Sequence, residues 1–80
     1  MELNERIQYL RKLAGMSKKF FAFELGVSET ALRKYENGSK PGFDICAGLF
    51  RMFPSLNPEW FFEGTGPVFV IHIKIEQNFN

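Results

Sequence analysis

The segment Ser17-Lys18-Lys19-Phe20-Phe21-Ala22-Phe23-Glu24-Leu25-Gly26-Val27-Ser28-Glu29-Thr30-Ala31-Leu32-Arg33-Lys34-Tyr35-Glu36 decides the fold. Ser17 is placed to cap a helix that runs through Leu25, with Phe21 and Leu25 one turn apart. Gly26 ends it. Ser28 caps the next helix, from Glu29 to about Tyr35, with Leu32 and Tyr35 as its inward pair. Ala22, Gly26, Val27, Leu32 and Tyr35 have the spacing that two short helices meeting across a sharp turn require. Ala22 is small enough for a close crossing. Gly26 can take the left-handed backbone of the turn. Val27 and Leu32 fill the angle between the helices. Phe20 and Phe23 face outward together if Phe21, Ala22 and Leu25 face in, and then offer a contact surface for a second chain or for the tail. A helix rotated slightly would bury both instead.

On the N-terminal side, Ile7, Leu10, Arg11 and Ala14 follow one another at i, i+3, i+4 and i+7, which predicts a helix over roughly Asn4 to Ala14 with Gly15 as its stop. On the C-terminal side, Asn37-Gly38-Ser39-Lys40-Pro41-Gly42 reads as a loop. A fourth helix follows from about Phe43 to Phe53, with Cys46, Leu49 and Phe53 on one stripe, and Pro54 stops it. Asn57 and Pro58 open a short fifth helix ending near Glu63, whose Trp60, Phe61 and Phe62 read as core. After the breaker Gly64-Thr65-Gly66-Pro67 the period changes to two. Phe69, Ile71, Ile73 and Ile75 alternate with Val70, His72, Lys74 and Glu76, the pattern of a strand. Residues 4–63 offer no second strand, so two copies pairing antiparallel about a two-fold axis would satisfy it, with Phe69, Ile71, Ile73 and Ile75 as the dimer interface. The other reading is a tail that folds back irregularly or stays loose. The expected layout is an all-α, five-helix domain over residues 1–67, with the helix pair at about 17–36, followed by a strand in residues 68–80.

Eighty residues make one core and leave no room for a separate substrate domain. Apolar residues at 45% of the chain exclude intrinsic disorder. The single cysteine, Cys46, excludes an internal disulfide and fits a reducing cytosol. No apolar run approaches the roughly 18 residues of a membrane span, and the charged start lacks a signal peptide's apolar stretch, so a cytoplasmic location is expected. The net charge is only +1, but it is unevenly placed. Residues 1–40 carry eight basic and five acidic side chains, whereas residues 41–80 carry two and four. A basic half suits an anionic partner, though a solvated surface explains it as well. No chemistry-bearing cluster accompanies this. His72 has no companions at metal-ligand spacing, Cys46 sits on an apolar stripe, and Glu59 and Glu63 lack a third polar group. Neither a metal, a cofactor nor an enzymatic activity is expected.

Gly26-Val27-Ser28 with Tyr35-Glu36-Asn37-Gly38, and downstream Asn57-Pro58-Glu59-Trp60-Phe61-Phe62-Glu63-Gly64, resemble the Cro/CI-type helix-turn-helix domain of phage repressors and their bacterial relatives, the XRE family. The resemblance covers about residues 4–67. It implies a lambda-repressor-like five-helix fold and sequence-specific binding of double-stranded DNA by a homodimer, as a repressor on a palindromic operator. In such domains the third helix lies in the major groove. Carried over, Glu29, Thr30, Arg33 and Lys34 read bases, with Ser28 at the head of that helix. Lys34 can donate to guanine, Thr30 can meet a base or a thymine methyl, and Glu29 can accept from cytosine. Lys18 and Lys40 clamp phosphates, helped by the amides near Ser17 and Ser39, and Lys19 stands beside them. Two departures count. Lys18 stands where the family often has Gln, which favours phosphate affinity. Glu29 sets a negative charge beside DNA, which implies a cytosine-rich site or weak binding. The resemblance also implies that Arg11 and Glu36, charges on inward faces, form a partly buried structural ion pair. Two rival readings stay open: an antitoxin whose partner is a toxin protein, and a protein-interaction module that has lost DNA binding.

Overall fold

Helix α1 (Leu3–Ala14) begins where Glu5 reaches back to accept the Glu2 N–H at 2.8 Å. This computed structural model describes residues 1–71. Ser17 and Ser28 cap α2 (Lys18–Leu25) and α3 (Glu29–Glu36), accepting the N–H of Phe20 at 3.3 Å and of Ala31 at 3.0 Å. Between these two helices Gly26 takes φ +77°, and the Val27 N–H returns to the Ala22 carbonyl at 3.0 Å. A side chain with a Cβ would resist that backbone, so glycine sets the angle between α2 and α3. Helices α4 (Phe43–Met52) and α5 (Pro58–Glu63) complete the described set, α5 capped by Asn57.

The core takes Ile7 and Leu10 from α1, Phe21, Ala22 and Leu25 from α2, Leu32 from α3, Ile45 and Leu49 from α4, Leu56, and Trp60 and Phe61 from α5. Each large side chain fully buried in this way contributes about 1.5–3 kcal/mol. Helices α2 and α4 pass close together at Gly48, where an added Cβ would lie 2.5 Å from the Leu25 carbonyl oxygen. That contact turns α4. Its buried face is Ile45, Gly48 and Leu49, not the expected stripe of Cys46, Leu49 and Phe53. Cys46 is half-buried, and Phe53 lies beyond the helix end. Phe62 also departs from expectation. A six-residue helix presents one stripe inward, Trp60 and Phe61 fill it, and Phe62 stays 52% exposed, stacked on Phe50 at 6.0 Å. Phe20 and Phe23 take the outward alternative, at 66% and 78% exposed.

The beginning of the tail pairs within its own chain. The Val68 carbonyl accepts the Asn57 N–H, and the Val70 N–H donates to Ser55, both at 2.8 Å, bridging Leu56 and Phe69 antiparallel. The Asn57 side chain fixes the return by donating to the Pro67 carbonyl at 2.9 Å. The expectation that no segment of residues 4–63 could pair with the tail is therefore corrected. Ser55–Asn57, a three-residue stretch between α4 and α5, supplies the partner. Phe69 packs on Phe53 with ring centroids 6.0 Å apart, and Ile71 is exposed. Ile73 and Ile75 lie outside the described residues, and no continuous strand is present among the described ones.

Candidate nucleic-acid interface

Helix α3 has two faces of opposite character. Leu32 and Glu36 are buried, whereas Thr30, Arg33, Lys34 and Asn37, at i, i+3, i+4 and i+7, share the exposed side. The inward side is held by polar bonds as well as by packing. Arg11 meets the Glu36 carboxylate through two hydrogen bonds, Nε to Oε2 at 2.9 Å and Nη2 to Oε1 at 3.1 Å. Glu36 is 2% and the Arg11 side chain 16% exposed, as the resemblance implied for a structural pair. A third guanidinium nitrogen, Nη1, donates to the Met16 carbonyl at 3.3 Å. The side chains of Gln8 and Asn4 donate to the Glu36 carbonyl at 2.7 and 3.3 Å. Asn4, Gln8 and Arg11 thus form a polar stripe along α1 that satisfies the carboxylate and last carbonyl of α3 together. Asn4 and Gln8 were not singled out in the sequence. Their spacing with Arg11, i, i+4 and i+7, was the available signal.

The outward side carries the expected readers in different states. Thr30 and Lys34 are exposed, and Lys34 has no ion-pair partner among the described residues. Arg33 is bound by Glu29 one turn earlier, Nη2 to Oε2 at 2.6 Å, with both side chains more than a third exposed. Glu29 therefore faces a cation of its own helix. The Ser28 hydroxyl accepts from Ala31, a capping role that faces the helix axis.

Around α3, Lys18 opens α2 and is half-buried, while Lys19 and Lys40 are exposed. The first turn of any helix leaves N–H groups without intrahelical partners, so the amides after Ser17 suit an anion. The Ser39 amide does not. It donates to the Lys34 carbonyl at 2.9 Å, closing the end of α3, so of the amides near Ser39 this one is already used within the domain. Asn37 joins the outer face of α3 although its sequence context read as loop.

Other polar groups belong to the scaffold. Buried Arg6 donates to the carbonyls of Phe61 at 2.7 Å and Phe62 at 3.4 Å, and also to that of Met1, tying α1 to the end of α5. Arg51 reaches the Glu24 and Leu25 carbonyls at 3.3 and 3.4 Å and closes α2. Burial, reinforced by nearby Asp44, pushes the Cys46 thiol above its usual range. The described residues hold no cluster of His, Cys, Asp and Glu able to bind a metal. None of their helices is long and apolar enough to cross a membrane.

A family model described as Helix-turn-helix matches residues 7–61. No curated protein and no solved structure matches the chain.

Proposed function

The chain belongs to the helix-turn-helix family, with a DNA-binding domain of the Cro/CI type, and we propose that it represses transcription as a homodimer on a palindromic operator. The observation that carries this reading is the division of α3, fixed to α1 along one side and exposed along the other at Thr30, Arg33, Lys34 and Asn37. A helix so held offers four side chains to a major groove at little further cost in ordering. Thr30 and Lys34 read base edges, and Arg33 exchanges Glu29 for guanine or phosphate. Lys18, Lys19 and Lys40 draw in the backbone on either side of α3. In the free domain Arg33 matches Glu29, so that charge is uncovered only where Arg33 has moved to the duplex. Two copies with recognition helices about 34 Å apart would occupy two half-sites one helical turn apart. Occupancy would exclude polymerase sterically.

Selection from random duplexes, followed by titration of the winning sequence against salt, tests the reading. Affinity should fall linearly in log salt. Lys18→Ala and Lys40→Ala should each lower that slope by about one and act alike on all sequences. Lys34→Ala should relax preference at one base pair, at about 1–3 kcal/mol. No enriched sequence after selection, or equal losses on every sequence for all three variants, would refute base reading by α3.

A further inference from the structure

The outer face of α2 carries an open groove of about 440 Å³, lined by Lys19, Phe20, Ala22, Phe23, Val27 and Glu29. Phe20 and Phe23 each expose about two-thirds or more of their surface there. Neither ring packs on another aromatic among the described residues. At about 200 Å² for a whole phenylalanine, the pair leaves about 300 Å² of apolar surface in water. Adjacent exposed rings beside a hollow mark a contact surface. We propose that a second copy of this chain seats on this groove, α2 against α2 about a two-fold axis.

Charge order selects that occupant. Lys19 stands in the first turn of α2, whereas Val27 and Glu29 follow its last turn. The apolar floor therefore runs from a cation to an anion. A two-fold axis across α2 turns the second helix end for end, so Lys19 of each copy faces Glu29 of the other. Both side chains are available for this. Lys19 has no ion-pair partner among the described residues. Glu29 gives Oε2 to Arg33, and its Oε1 accepts no hydrogen bond among the described residues. A partner of one sign would meet a like charge at one end of the groove, and a second copy of the same face meets none.

Area sets the strength. Two copies closed face to face remove about 600 Å² from the rings alone, and Ala22, Val27 and the Lys19 stem add to it. The total stays toward the lower edge of specific interfaces, about 1,200 Å². The contact is therefore weak and reversible, and it closes where copies are concentrated.

This deepens the homodimer reading and rests on the DNA reading only for its consequence there. When Arg33 leaves Glu29 for a base, Lys19 of the second copy keeps that carboxylate matched.

The test uses the whole 80-residue chain without DNA. Sedimentation and amide NMR follow it from about 20 µM to about 2 mM, a range suited to weak interfaces. The sedimenting mass should rise toward twice its starting value, and the amide signals of Lys19, Phe20, Phe23 and Val27 should move with it. Phe20→Ser/Phe23→Ser, which alters only exposed side chains, should weaken self-association by more than about tenfold. Lys19→Glu alone and Glu29→Lys alone set like charges at both ends of the groove and should each weaken it about tenfold. An equimolar mixture of those two variants restores opposite charges at both ends and should associate as tightly as the parent. A mass that stays constant across the range overturns the proposal. So does growth that Phe20→Ser/Phe23→Ser leaves unchanged, which would place the association elsewhere on the chain. A mixture no tighter than its components overturns the two-fold arrangement. No arm contains a duplex, so failure here leaves the DNA reading standing, and a chain that selects no duplex leaves this contact standing.

Discussion

Removing Arg11 should damage this domain more than removing the charge it neutralises. In Arg11→Met the Glu36 carboxylate, 2% exposed, loses both guanidinium bonds and keeps no cation. Stranding one member of a buried pair costs about 3–5 kcal/mol. The Arg11 side chain is 16% exposed, so water reaches the outer side of the site and the lower end of that range, about 3 kcal/mol, applies. Glu36→Gln is milder. The amide oxygen can still accept one guanidinium hydrogen bond, the Met16 carbonyl accepts another, and the freed cation is the wetter partner, so about 1–2 kcal/mol is lost. The double variant buries a neutral amide beside a thioether and should cost about 2–3 kcal/mol, below the sum of the singles. The coupling is then about 2 kcal/mol. A domain of this size holds only about 4–12 kcal/mol, so Arg11→Met should fold and melt roughly 12–24 °C lower. Urea unfolding followed by circular dichroism, with Trp60 fluorescence as a second probe, gives all four stabilities if the two transitions coincide. Singles that add to within about 0.5 kcal/mol would refute the coupling. A larger loss in Glu36→Gln than in Arg11→Met would refute the argument from burial.

Two further outcomes follow from the packing. Gly48→Ala sets a methyl 2.5 Å from the Leu25 carbonyl oxygen and 3.1 Å from its Cα. Helices α2 and α4 must then separate, and urea midpoints should report a loss of about 1–3 kcal/mol; a neutral substitution would show that the crossing has room to relax. The Cys46 thiol, raised by burial and by Asp44, stays protonated at neutral pH and should alkylate more slowly than a free cysteine. Its rate should climb only above the usual thiol range, because deprotonation creates the charge that burial disfavours. A rate matching free cysteine at pH 7 would contradict this.

The helices were legible because the chain punctuates them. Ser17, Ser28 and Asn57 cap, Gly15 and Gly26 stop, and each of those signals acts within one turn. The orientation of α4 was not legible. Cys46 and Ile45 are both apolar neighbours, and only the absent side chain of Gly48, pressed against α2, decides which of them faces in. Phe62 illustrates the same limit. Three consecutive aromatics give no period, and a six-residue helix cannot bury them all. The return of the tail escaped because Ser55-Leu56-Asn57 is too short to alternate, and the partner of a strand is a matter of tertiary position. At the candidate interface, residue type and spacing located the outer face of α3. They did not show that the Ser39 amide is already used, or that Glu29 is already matched, since both facts depend on how a loop and a side chain close on their own helix.

The two ion pairs that α3 makes among the described residues divide its duties. Arg11–Glu36 is buried and bidentate, so its loss would loosen the helix and blur every contact made from it. Arg33–Glu29 is exposed on both sides. Pairs of that kind at i and i+4 contribute about 0.3–0.5 kcal/mol, and salt weakens them further. Moving the Arg33 fork from Glu29 to a guanine edge therefore sacrifices a fraction of a kilocalorie, whereas a good bidentate base contact returns about 1–3 kcal/mol of discrimination. The exchange runs downhill only where the correct base is present. Against a wrong base the guanidinium stays with Glu29, the pair is neutral, and Arg33 adds no attraction to the duplex. In the proposed reading Glu29, which by itself argues for weak binding, thus sharpens selection by holding Arg33 back from wrong bases.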